Sequence, residues 1–292
     1  MSTHSHGVLT ARDLRPLLGA LLITTSVMGL EIAAGFLSRS LALLADAGHM
    51  ATDTAALGMS LFAGWMARQP ATRIKTYGFY RTEILAAFLN GLTLWLIVAW
   101  IVYEAIRRFL HPPVVQAPMM LATAVIGLAA NLGCAWVLRP SRAQGLNLRS
   151  AYLHVLSDAL GSVSVIVAAI VIWMTGWSQA DPIASLLVCA GILWGSWNLV
   201  RESVNILLEG APLHIEVVEV MRAMQAVPGV RRVHDTHIWT ITSGMEAMSA
   251  HVVVDNSLPN QEVLNRLNAL LCDQFGIHHT TFQLETETPG RD

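Results

Sequence analysis

The sequence predicts a membrane-embedded, all-α bundle of six helices followed by a small α+β domain in the order αββαβ, on three observations. Hydrophobic residues make up 54% of the 292-residue chain and charged residues only 13%, where a soluble domain carries about 25% charge; mean hydropathy is +0.52. Six apolar stretches are each long enough to cross roughly 30 Å of hydrocarbon as a helix. The composition then turns polar after Gly210-Ala211-Pro212. The net charge of −2 suggests no polyanionic partner, so nucleic acid is not expected. Cys134, Cys189 and Cys272 form no CxxC pair, which argues against a disulfide framework and a thiolate zinc cluster. The first apolar run is too long for a signal peptide and is followed by more such runs.

The expected spans are 14–37, 41–66, 83–107, 114–138, 148–175 and 182–207. In lipid each must satisfy its own backbone, so each is a helix. The third ends before His111-Pro112-Pro113, which cannot continue it. Asp181-Pro182 reads as an N-cap followed by Pro at the first helical position, opening the sixth. With the N-terminus inside, the inner side gathers Arg12, Arg15, Arg68, Arg73, Lys75, Arg81, Arg139, Arg142, Arg149 and Arg201, and the outer side Arg39, Arg107 and Arg108. The positive-inside rule therefore puts both termini in the cytoplasm, and Arg107 and Arg108 are expected to snorkel outward. In the polar region, 214–227 has helical periodicity and stops at Pro228-Gly229. Segments 230–241 and 245–255 read as strands around a Ser243-Gly244 turn. An amphipathic helix at 261–275 ends at Gly276 in a C′ position, and 277–287 is a third strand. A domain this small gains from a partner or a metal.

Ionisable residues inside a bilayer are costly and mark function. Here they repeat: His49-Met-Ala-Thr-Asp53 on the second helix and His154-Val-Leu-Ser-Asp158 on the fifth are both HxxxD. A spacing of four puts imidazole and carboxylate on one helical face. Two such helices supply two nitrogens and two oxygens, a tetrahedral set suited to zinc. The helices run antiparallel, so His49 levels with Asp158 and His154 with Asp53, near mid-membrane, where alternating access needs a site. Asp46 lies on the same stripe nearer the outer mouth and is a possible accessory residue. Glu31 is expected to pair with Arg39 or to stand in the exit path, and Asn90 and Asn131 to form interhelical hydrogen bonds. An intramembrane protease is disfavoured because HExxH is missing. A passive metal-gated cation channel would use the same ligands and is the alternative to a proton-coupled carrier.

Segment 41–53 (LALLADAGHMATD), Tyr77-Gly78 with Arg81-Thr82-Glu83, the second HxxxD, Asp181-Pro182 and Leu207-Leu208-Glu209-Gly210-Ala211-Pro212 together resemble the cation diffusion facilitator family, close to its bacterial zinc/cadmium/cobalt efflux members. The likeness runs from the first helix to Glu285. It implies a homodimer of six-helix protomers in the inner (plasma) membrane, each with a metallochaperone-like cytoplasmic domain. It implies export of a cytoplasmic divalent metal in exchange for protons, with no enzymatic activity and no organic cofactor. The two-His, two-Asp quartet goes with zinc as substrate, with cadmium and cobalt possible, and His154 is the first choice for proton carrier. The corresponding division is an N-terminal tail (1–13), a transmembrane domain (14–208), a hinge (209–213), a regulatory and dimerisation domain (214–287) and a tail (288–292). Some relatives bind a second metal in the loop after the second helix; the matching Thr72, Lys75 and Phe79 are not metal ligands, so that site is expected to be absent. A charge interlock is implied between Arg81 and Glu209. His234, His251 and Glu285 match the family's cytoplasmic metal ligands, with zinc as regulatory ligand, and His279 would complete a second, bridging site. Strand alternation puts His234 and His237 on opposite faces and His279 and Glu285 on one; His278 is a further candidate. His4 and His6 form either a metal-collecting tract or a plain tail.

Overall fold

The computed structural model describes residues 11–137, 146–255 and 257–286. Among these, six long helices come first: α1 (Ala11–Ser38), α2 (Leu41–Ala67), α3 (Arg81–Leu110), α4 (Ala117–Val137), α5 (Leu146–Thr175) and α6 (Ala180–Leu207). Arg81–Leu110, Ala117–Trp136, Val155–Thr175 and Ala180–Leu207 are long and apolar enough to cross a membrane, and Leu22–Ser38 is a shorter apolar stretch. His4, His6, Arg139 and Arg142 lie outside the described residues. The fourth helix starts at Ala117, later than expected. Pro112-Pro113 keep the chain extended up to Gln116, whose N–H donates to the Ser38 carbonyl at 3.0 Å.

The chain divides into two compact units, Met1–Gly58 with Asn90–Asn198, and Met59–Leu89 with Leu199–Asp292. In the first, Ala34, Ala42, Leu43, Ala117, Met120, Ala124, Val165, Ala168, Ala169 and Ala184 form one buried cluster. So many small residues let helix backbones approach closely where no water drives them together. Gly35 shows how closely: a Cβ there would lie 2.8 Å from Leu44 Cδ2. A second cluster joins α2, α3 and α6 through Leu41, Ala45, Leu94, Val98, Ile101, Val188 and Ile192.

The helix ends hold the main departures from expectation. Asp181 does not cap its own helix. It is the second residue of α6, fully buried, and its carboxylate accepts from Ser40 Oγ at 2.6 Å, Leu41 N–H at 2.7 Å and Ala42 N–H at 3.1 Å. These are orphan donors of the first turn of α2, at the positive end of its dipole. Arg108 does not snorkel outward either. It donates to Glu104 at 3.0 Å and to the Arg39 carbonyl at 2.7 Å, and stands 3.9 Å from Asp181. Only Arg107 reaches out, exposed and paired with Glu104 at 3.2 Å. A buried carboxylate offers so many acceptor sites that a nearby guanidinium is held inward.

The second unit carries α7 (Val217–Gln225), β1 (Val230–Thr242), β2 (Met245–Val254), α8 (Asn260–Phe275) and β3 (His279–Thr286). β2 is central, antiparallel to β1 and parallel to β3, so α8 is the crossover that parallel pairing requires. Val220, Met224, Val233, Ile238, Met248, Val252, Leu267 and Leu271 form the core between the helices and one sheet face. α7 begins three residues later than predicted because Pro212 to Ile215 form a turn, closed by Ile215 N–H to the Pro212 carbonyl at 3.0 Å. Gly276 is left-handed, φ 69°, and ends α8 as expected. β1 holds a bulge: His234 faces His251 while His237 faces Ser249, and Asp235 between them has φ 48°. The extra residue reverses the alternation, so His234 and His237 share the open face, against the sequence expectation.

In this unit Arg81 and Glu209 form an ion pair at 3.0 Å, and Thr242 Oγ1 donates to Glu83 at 2.9 Å. Glu209 is left-handed, φ 59°, just past α6, with Gly210 N–H returning to the Asn205 carbonyl at 2.9 Å. Arg81 opens α3 and Glu209 follows α6, so each charge sits at the end of its helix dipole that disfavours it, and the pair relieves both.

Asp181→Ala should strip the first turn of α2 and leave Arg108 unpaired, lowering the stability of detergent-solubilised protein by roughly 2–4 kcal/mol; an unchanged thermal midpoint would remove the capping role. For the exposed interlock, Arg81→Glu alone should cost about 1 kcal/mol or less. The exchange Arg81→Glu with Glu209→Arg should recover it, because both charges then also suit their dipoles.

Candidate metal centres

Both HxxxD motifs fall inside long helices, so the helical period fixes each pair. His49 Nε2 lies 3.6 Å from Asp53 Oδ2 and 3.6 Å from Asp158 Oδ1. Both separations are too long for hydrogen bonds. They suit a shared ion, since two ligands about 2.0–2.1 Å from one tetrahedral zinc stand roughly 3.4 Å apart. His154 lies on α5 one turn before Asp158; its side chain is outside the described residues. The α2 and α5 stripes therefore meet at His49.

Exposure is graded along the α2 stripe. The side chains of Asp53 and His49 are 31% and 19% exposed, whereas Asp46 is 4% exposed and Leu41, Ala42 and Leu43 are fully buried. Asp46 packs beside α5: its Oδ2 is 3.5 Å from Ser162 Oγ, which also donates to the Asp158 carbonyl at 3.2 Å. Asn131 reaches the same hydroxyl from α4 at 3.4 Å, the interhelical bond expected of it. Asn90 is buried on α3. Glu31 makes no pair with Arg39. It is 1% exposed, and its Oε2 has no hydrogen-bond partner among the described residues. Nothing in the sequence spacing announces Ser162 or the approach of α1; both depend on how helices distant in sequence pack.

The cytoplasmic candidates divide sharply. His234 Nε2 is 3.0 Å from Glu285 Oε2, and His251 Nδ1 is 2.9 Å from Glu285 Oε1. One ligand atom from each of the three lies within 4.8 Å of the others, so they can close on one ion. The His234 hydrogen bond, joined by the imidazole charges of His234 and His251, holds the Glu285 carboxyl below its ordinary value. His279 shares the open face but not the site. It pairs with Ala247, whereas Glu285 pairs with Val253, and six strand residues span about 20 Å. His278 is instead 3.2 Å from Cys272 Sγ. His237 is bound at 3.0 Å to Asp235, whose other oxygen is 3.6 Å from His251 Nε2. Asp235 was not among the sequence candidates; the signal was an acid between two histidines on a strand. In the loop before α3, Thr72 Oγ1 accepts from the Lys75 N–H at 3.0 Å, and the Lys75 ammonium sits 5.6 Å from the Phe79 ring centre.

Comparison with known proteins identifies the family. Residues 17–208 match the family model described as cation efflux transmembrane domain, and residues 212–287 that of the cation efflux protein cytoplasmic domain. The cadmium, cobalt and zinc/H(+)-K(+) antiporter of Bacillus subtilis (strain 168) is 43% identical, over 99% of this chain and 94% of that protein. The zinc transporter ZitB of Escherichia coli (strain K12) is 44% identical, over 97% and 92%. Among solved structures, the metal-bound C-terminal domain of the CzcD transporter from Cupriavidus metallidurans matches 24% of this chain and 99% of its own, at 43% identity and a TM-score of 0.23. With both family domains matched in order and relatives aligned over nearly their whole length, the chain belongs to the cation efflux, or cation diffusion facilitator, family of membrane transporters, and is a multi-pass membrane protein with a cytoplasmic C-terminal domain.

Proposed function

We propose that this protein exports divalent transition metal from the cytoplasm in exchange for protons, with zinc as first cargo and cadmium and cobalt as further cargo, through His49, Asp53, His154 and Asp158. The observation that carries this reading is His49 Nε2 standing 3.6 Å from a carboxylate on each of two helices. Two carboxylates balance the two charges of the ion, which makes the loaded site tolerable in lipid. The names of the Bacillus subtilis and Escherichia coli relatives, a cadmium, cobalt and zinc antiporter and a zinc transporter, support the same cargo.

The graded exposure supports entry from the cytoplasmic side. Asp53, toward the cytoplasmic end of α2, is the open side, and the stripe closes toward Leu41. The ion enters past Asp53 and is held by the quartet, the bundle rocks outward, and protons compete for ligands that bind metal only when deprotonated. His154 is the first candidate for carrying the proton. The protein sits in the inner membrane with both termini cytoplasmic and works as a homodimer. The chain divides into a tail (1–13), a transport domain (14–208), a hinge (209–213), a regulatory and dimerisation domain (214–287) and a tail (288–292). In the cytoplasmic domain His234, His251 and Glu285 hold a regulatory zinc.

Asp53→Ala and Asp158→Ala should each abolish metal-dependent proton flux in proteoliposomes; flux retained in both overturns the assignment, and flux indifferent to an imposed proton gradient marks a passive channel instead. His49→Asp should shift preference from zinc toward cadmium in a metal-competition assay. Glu285→Gln should weaken cytoplasmic zinc binding by about tenfold or more while leaving quartet-dependent transport in place. Because the Glu285 carboxyl is held low, its contribution to folding is present above the unfolded carboxylate value. That contribution is lost only as pH falls through its lowered folded value, and the acid-unfolding midpoint of Glu285→Gln against the parent reads it.

A further inference from the structure

Beyond the quartet, toward the outer end of α2, four helices converge on a second group of polar side chains. Glu31 comes from α1, Asp46 from α2, Asn131 from α4 and Ser162 from α5. Asp46 Oδ2 and Asn131 Nδ2 both lie at Ser162 Oγ, at 3.5 and 3.4 Å. Glu31 is within electrostatic reach of Asp46 and Asp158. Two glycines make the room. A Cβ on Gly127 would fall on Glu31 Oε1 and 3.8 Å from Ser162 Oγ, and a Cβ on Gly161 would stand 3.6 Å from Asp46 Oδ1. Glu31 and Asp46 are 1% and 4% exposed, and Glu31 Oε2 has no hydrogen-bond partner among the described residues. A buried carboxylate oxygen with no donor, within electrostatic reach of two further carboxylates, calls for a positive charge, a proton or a metal ion.

We propose that Glu31 and Asp46, with the Ser162 hydroxyl that Asn131 holds in place, form a second divalent-cation station on the outer side of the quartet, where the ion released from His49, Asp53, His154 and Asp158 is held by oxygen ligands on its way out. The inference rests on the transport reading above and adds a step to it. Asp46 shares the helical stripe of His49 and Asp53, so an ion leaving outward passes it. An all-oxygen set binds zinc or cadmium more weakly than one containing imidazole, which suits a station that must let go. The station is shut in this conformation and fills only when the outer end opens.

The test uses the full-length protein in proteoliposomes and cadmium as probe. Glu31→Gln and Asp46→Asn should keep cytoplasmic-side zinc affinity within about threefold yet slow transport by about tenfold or more, the scale on which partners of a metal site act. Gly127→Ala, which displaces the Glu31 carboxylate, should behave like Glu31→Gln. With excess cadmium on the outer side, the parent should show a cadmium-113 resonance of oxygen-only coordination besides that of the mixed nitrogen and oxygen quartet; Glu31→Gln should lose only the former. Parent-like transport by Glu31→Gln overturns the station. So does retention of the oxygen-only resonance in a slow Glu31→Gln that no longer responds to the proton gradient, because that places only protons on Glu31. If the parent moves no metal, or His49→Ala moves it as well as the parent, the transport reading has failed, and the oxygen-only resonance alone decides the station.

Discussion

The bundle depends on a single buried carboxylate. Asp181 takes the first-turn N–H groups of α2 and the hydroxyl of Ser40, and Arg108 stands against it from α3. A helix whose first turn is bound in this way cannot slide along its axis without leaving buried donors unmet. The depth of His49 and Asp53 in the membrane therefore follows from an interaction more than a full helical turn away. Leu41, fully buried directly below the cap, closes the outer end of the same helix. Closure and placement are thus properties of one contact.

Much of this was legible in the sequence because lipid leaves the chain few choices. Six apolar runs become six helices, and a spacing of four on a helix admits one geometry, so the HxxxD pairs could be placed from the residues alone. The strands and the Gly276 stop were equally direct. What escaped was tertiary. Asp181 beside Pro182 has every local mark of an N-cap for its own helix, yet its carboxylate serves a helix 140 residues earlier in the chain. Arg108 looked like a stray outer charge because its acceptors come from the Arg39 carbonyl and Asp181. Glu31 gave no hint of its neighbours, since the space it occupies is a methyl group missing from Gly127 on another helix.

The polar contacts also limit how the transport unit can move. Asp181 ties α2 to α6, and Arg108 adds α3 to that group. Asn131 and Ser162 tie α4 to α5, and the Glu31 carboxylate seated against Gly127 adds α1. The two groups are not separate bodies: Asp46 on α2 lies 3.5 Å from Ser162 on α5, and Ala42, Ala124, Val165 and Ala184 share one buried cluster. Under the transport proposal, with His49 and Asp53 on α2 and His154 and Asp158 on α5, any motion that parts the two halves of the shell must also part Asp46 from Ser162.

The bulge at Asp235 has a further bearing on the cytoplasmic sheet. Side chains on a strand alternate, so the face on which a residue appears is a matter of odd and even counting. One inserted residue has turned the count over between His234 and His237. Deleting Asp235 would remove the bulge and leave a regular strand, with His234 and His237 two residues apart and Val233 and Ile238 four apart, so every one of them would keep its face. What would go is the acid itself, whose two oxygens lie 3.0 Å from His237 and 3.6 Å from His251. The inserted residue therefore serves the open surface and not the core, and the sheet could lose it without refolding.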